Sequence, residues 1–99
     1  MGYDAQAVAA PELEALRRSI DEIDSRLLSL IEERVRLVLA VGDFKRDNGL
    51  PIYDPERERK LLERLTSEAR PPLEEGTIRR IFERLIDESR RLEQRHAAK

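Results

Sequence analysis

The sequence predicts an all-α fold, a three-helix protomer with one long N-terminal helix that needs a second copy of the chain to cover it. Three observations carry this. Apolar residues recur at three- and four-residue steps in three separate stretches, the period of one helix face. The stretches are separated by short segments rich in Pro, Gly and Asn, which end helices. The composition is 40% charged, with two Phe, two Tyr and no Trp, and suits amphipathic helices better than a β-sandwich. Ninety-nine residues leave room for one small core and no second domain.

Residues 1–11 are rich in small side chains and lack a basic region followed by an apolar run, so they are expected to be a disordered leader rather than a secretory signal. The helical domain is expected over 12–95, with 96–99 a frayed tail. Helix 1 starts just after Pro11 and runs to about Asp47, with Leu13, Leu16, Ile20, Ile23, Leu27, Leu30, Ile31, Val35, Val38 and Val41 on one stripe. At ~1.5 Å per residue it is roughly 54 Å long. Two shorter helices cannot cover such a stripe, which predicts a dimer built on antiparallel first helices. Asn48-Gly49-Leu50-Pro51 ends helix 1, because Gly or Asn takes the left-handed cap and Pro cannot continue. Asp54-Pro55 is an N-cap followed by proline at the first helical position. Helix 2 then runs to about Ala69 with Leu61, Leu62 and Leu65 inward, and Pro71-Pro72 breaks it. Helix 3 begins between Glu74 and Thr77, carries Ile78, Ile81, Phe82, Leu85, Ile86 and Leu92 as its apolar face, and frays from Arg95.

Several function classes drop out. The formal net charge is −2 with both signs interspersed, so no basic face points to nucleic acid. The absence of Cys removes disulfides, thiol nucleophiles and zinc–thiolate sites. No stretch approaches the ~20 apolar residues of a membrane span, so a cytoplasmic protein is expected. No His/Asp/Glu cluster has metal-ligand spacing and no Gly-rich loop could cradle phosphates. Ser89 has no credible base, because the single His96 lies in the charged tail and is read as having no role.

The informative residues are polar groups where leucines belong. Positions 27, 31, 34, 38, 41 and 45 follow steps of four and three, which puts Arg34 and Lys45 on the inward stripe of helix 1. Ser89 and Glu93 are one turn apart on helix 3 and continue the line of Phe82, Leu85 and Ile86. Any one such stem could lie along an apolar edge with its charge in water. Fixed cations interrupting two apolar stripes are costly to bury alone, and together they suit an anionic small molecule. Asp54, Arg57 and Glu58 sit in the first turn of helix 2. Asp54 caps and Glu58 suits the positive end of the dipole, whereas Arg57 is out of place there. Arg17 lies 17 residues before Arg34, roughly 25 Å along a helix. It can reach a pocket holding Arg34 only from the partner of an antiparallel dimer.

Arg17, Arg34, the segment Val41-Gly42-Asp43-Phe44-Lys45, the segment Pro51-Ile52-Tyr53-Asp54-Pro55-Glu56-Arg57-Glu58, and Ser89 together resemble the all-helical (type II) chorismate mutases. The resemblance covers about residues 12–95. It implies an intertwined homodimer of three-helix protomers, with each active site taking one arginine from the partner. It also implies an isomerase that rearranges chorismate to prephenate, at the branch towards phenylalanine and tyrosine, without a cofactor or metal. In that reading Arg34 and the partner's Arg17 hold the two carboxylates, assisted by Arg57 and Ser89. Glu58 and the backbone near Asp54 take the ring hydroxyl, and Lys45 stands beside the ether oxygen.

Such a site works by orientation and by electrostatics. Holding the enolpyruvyl group folded over the ring is catalysis by positioning. A cation beside the ether oxygen stabilises charge that grows as the C–O bond breaks. One position departs from the commonest family pattern, which has Gln where this chain has Glu93. An ionised carboxylate has no proton to donate, so Glu93 is expected to act as a neutral acid, with turnover falling as pH rises. Gln94 is about 100° round the helix and is not an easy replacement. The alternatives are a regulatory module that binds chorismate or prephenate beside a shikimate-pathway synthase and, ranked lower, an isochorismate pyruvate lyase.

Overall fold

A computed structural model describes the backbone of residues 2–99 and the side chains of residues 10–99, and among these the secondary structure is entirely helical. Three helices follow in order: α1 Gly2–Asp47, α2 Pro55–Glu68 and α3 Glu75–Ala97. The expected leader falls mainly on residues 1–9, which lie outside the described side chains. Pro11 lies inside α1 rather than just before it. Proline's fixed φ is compatible with a helix, so its effect is one missing backbone donor and a local clash rather than an obligatory start. Among the described residues no helix is long and apolar enough to cross a membrane.

The chain divides into two compact units, residues 1–34 and 35–99. The first is the N-terminal part of α1. Its stripe is exposed on the single chain, with Leu13, Leu16, Ile20, Ile23, Leu27 and Leu30 at 45–64%.

The second unit holds the end of α1 together with α2 and α3. The α1 terminus is a Schellman motif. Gly49 takes φ +64°, the Leu50 N–H donates to the Lys45 carbonyl at 2.8 Å, and the Gly49 N–H donates to the Arg46 carbonyl at 3.4 Å. The Asn48 side chain closes a further carbonyl, that of Phe44, at 2.8 Å. Glycine meets the positive φ at no steric cost, so the last turn of α1 is fixed in place. At the start of α2 the Asp54 carboxylate accepts from the Arg57 N–H at 3.1 Å, and Pro55 follows at the first helical position. Pro71-Pro72, joined by a cis bond, separates α2 from α3.

α2 packs on α3. Leu61, Leu62 and Leu65 are half-buried, as are Phe82 and Leu85, while Ile78 and Ile86 are buried. Ile81 and Leu92, expected on the apolar face, are exposed at 55% and 40%. The buried line runs Ile78, Phe82, Ile86, Ser89, Glu93, and both residues lie roughly 80–100° round from its middle. α3 also continues through His96 to Ala97 instead of fraying from Arg95.

Candidate active site

Within residues 35–99, the last turn of α1, the first turn of α2 and the C-terminal half of α3 carry most of the expected polar residues. Lys45 is half-buried on the capped turn of α1, and its Nζ donates to the Ile52 carbonyl at 3.4 Å. That bond ties the ammonium to the loop leading into α2. Ser89 is buried at 3%, and its Oγ donates back to the Leu85 carbonyl at 2.7 Å, a local bond typical of serine within a helix. Arg57 is exposed, and its backbone rather than its guanidinium is engaged by Asp54. Glu58 is half-buried and accepts from Arg90 of α3, whose guanidinium stands 5.5 Å from the Tyr53 ring centroid. Such a stack suits arginine, which is planar and weakly hydrated.

Glu93 is the other buried polar group, at 6% exposure. Its carboxylate lies against Gly42 and accepts from Arg46. A Cβ at Gly42 would stand 2.3 Å from Glu93 Oε1 and 2.9 Å from its Cδ and Cγ, so only glycine leaves room for this side chain. Arg46 forks. One terminal nitrogen donates to Glu93 and the other to Asp43 Oδ1 at 2.6 Å. His96 Nε2 lies 3.1 Å from both Asp43 oxygens. The His96 contact, followed by Arg46, holds the Asp43 carboxyl below the usual aspartate range. Glu93, followed by Asp43, holds the Arg46 guanidinium still more firmly protonated than usual.

Lys45, Asp54, Arg57, Glu58, Ser89 and Glu93 thus belong to one compact unit, while Arg17 and Arg34 belong to the other. Arg34 is half-buried and Arg17 is exposed and paired with Glu14 at 3.3 Å. Four participants escaped the sequence: Gly42, Arg46, Arg90 and His96. Gly42 did carry a signal, since a glycine inside a helix costs ~1 kcal/mol against Ala and calls for a packing reason. Arg46 is three residues from Asp43, but its partner Glu93 is 47 residues away and no local spacing announces it.

The lysine on a capped helix end, the loop carbonyl it holds, and the Ser89–Glu93 line on α3 fall inside a wider match. The family model for type II chorismate mutases matches residues 16–94. The chain belongs to the type II chorismate mutase family. The chorismate mutase of Methanocaldococcus jannaschii is 35% identical over 86 residues, which is 86% of this chain and 87% of that one. The T-protein of Enterobacter agglomerans is 45% identical over 76 residues, 72% of this chain, and this chain spans only 20% of that protein's length. Among solved structures, the chorismate mutase of Helicobacter pylori in complex with prephenate superposes with a TM-score of 0.83 at 27% identity. That superposition covers 90% of this chain and 97% of the other. The two-unit division, the three helices and the polar line on α3 are therefore those of a type II chorismate mutase chain, with Glu93 and its Arg46 partner as features to be explained.

Proposed function

We propose that the protein is a chorismate mutase, an isomerase that rearranges chorismate to prephenate in the cytoplasm as a homodimer. The observation that carries the reading is the family match over residues 16–94, which includes every residue expected at the site. The side-chain chemistry supports it. The substrate is a dicarboxylate, and Arg34 with Arg17 of the partner subunit would clamp it, since guanidinium–carboxylate pairs are strong and directional. Arg57 and Ser89 assist at the carboxylates. Glu58 and the Asp54 backbone would hold the ring hydroxyl, Glu58 being oriented by Arg90.

The reaction needs no nucleophile. The ether C–O bond breaks as the new C–C bond forms, electrons move around a six-membered ring of atoms, and negative charge grows on the ether oxygen. Lys45, fixed by the Schellman cap behind it and by the Ile52 carbonyl, would stand as the cation that meets this charge. Glu93 would serve the same oxygen as a neutral acid. The dimer is supported by the uncovered apolar stripe of residues 13–30, which is too extensive to leave in water.

The test is loss of chorismate absorbance with purified protein between about pH 5 and 9. Wild type should turn over, and Lys45→Ala should lose at least about a hundredfold in kcat, the scale for removing one fixed donor at a developing oxyanion. No turnover by wild type, or pyruvate release from isochorismate instead, would overturn the proposal.

A further inference from the structure

Glu93 occupies the one position where the chain departs from the commonest family pattern, and the structure gives it a partner. We propose that Arg46 is a positioning residue of the site, which holds Glu93 as a hydrogen-bond acceptor and so sets the pH above which Glu93 stops serving the ether oxygen. The inference rests on the mutase reading and concerns the control of one of its residues.

The geometry is that of a clasp. Glu93 is buried against Gly42, where no other residue type leaves space for it, so the carboxylate cannot swing away without opening the α1–α3 contact. Arg46 reaches it from α1 and is braced in turn by Asp43, whose other partner is His96 of α3. The charged groups around Glu93 are therefore Arg46, with Lys45 and Asp43 beside it on α1, and Arg90 and His96 one turn to either side on α3. Arg90 is occupied by Glu58 of α2, and His96 by Asp43.

A carboxylate that accepts from a guanidinium is favoured in its charged form, because both the charge and the hydrogen bond act on that form. A hydrogen bond to the ether oxygen requires the opposite state, with a proton on the carboxyl. The two roles exclude each other at one moment, and Arg46 biases the choice. Removing it leaves Lys45 and the substrate carboxylates unchanged, so the difference between variants reports on Arg46 alone.

The experiment is a double-mutant cycle in kcat and KM across about pH 5 to 9, using wild type, Arg46→Met, Glu93→Gln and the double variant. In wild type, kcat falls with rising pH. In Arg46→Met the midpoint of that fall moves up by about one unit, the lower end of the effect of an opposite charge in contact. Near pH 8 this variant is therefore several-fold faster than wild type, it equals wild type near pH 5, and KM stays within about twofold. Glu93→Gln has a flat profile that adding Arg46→Met leaves unchanged. Arg46→Lys, which keeps the charge, stays near the wild-type profile. Arg46→Gln repeats the Arg46→Met series if the methionine variant does not fold. An Arg46→Met profile parallel to wild type, or an equal loss in the Glu93 and Glu93→Gln backgrounds, overturns the inference while leaving the mutase reading intact. Absence of turnover in wild type overturns both.

Discussion

Gly42 and Glu93 share one space, and that makes each a condition of the other. A methyl group at Gly42 would sit 2.3 Å from Glu93 Oε1 and within 2.9 Å of two further atoms of the same side chain, so more than the flexible tip has to move. Arg46 would lose its buried partner in the process. Gly42→Ala is therefore expected to destabilise the protein by about 1–3 kcal/mol, the usual cost of overpacking. In a Glu93→Ala background the clash is gone and alanine's better helix propensity remains, so the same substitution should stabilise by up to ~1 kcal/mol. Urea unfolding of the four variants reads the change of sign directly. If Gly42→Ala stabilises in both backgrounds, the glycine is not there for Glu93. At this scale the sequence was partly legible. Lys45, Ser89 and Glu93 stand out because a polar residue on an apolar helical stripe breaks a visible period. Arg46 and Arg90 do not, because charged residues on a helix flank are ordinary until the fold supplies Glu93 and Glu58 as their partners.

Between elements, the end of α1 is joined to the end of α3 by Asp43 and His96, while the Lys45–Ile52 bond joins it to the loop before α2. Helix ends fray unless held, and the contact with Asp43 is one reason α3 stays helical through His96. Acid should loosen this joint. The Asp43 carboxyl is held below its unfolded value of about 3.9 by His96 and then Arg46. Its contribution is complete above that value and is lost as pH falls through the lower, folded one. The stability advantage of wild type over Asp43→Asn should accordingly narrow as pH drops from about 4 towards 2, measured as urea midpoints at fixed ionic strength. A gap that widens on acidification would mean that the pairing is not what holds the joint. The helix boundaries themselves were readable where side chains fix them: Asn48-Gly49 at the Schellman turn and Asp54-Pro55 at the cap. They were not readable where tertiary contact decides, as at His96, nor at Pro11, whose ring permits a helix to pass through as well as to begin.

For the whole molecule the deciding quantity is the apolar stripe of residues 13–30, exposed at 45–64% on the single chain. A second copy laid antiparallel would cover it by the same side chains on both partners, as a two-fold interface requires. It would also bring Arg17 of the partner subunit towards residues it cannot reach along its own helix. Shared sites have a consequence that separate sites lack. A chain with Arg17→Ala still supplies a sound Lys45, and a chain with Lys45→Ala still supplies a sound Arg17. Each variant alone should be nearly inactive as a dimer. After the two are mixed and refolded together, half of the dimers are hybrids, and each hybrid has one site built from two intact halves. Activity should return to about one quarter of the wild-type value, by the statistics of random pairing in a two-fold dimer. Recovery to that level, with a measured mass of about twice 11.5 kDa, would place Arg17 in its partner's site. Activity that stays at the sum of the two single variants would leave Arg17 as a surface residue paired with Glu14 and the site complete within one chain.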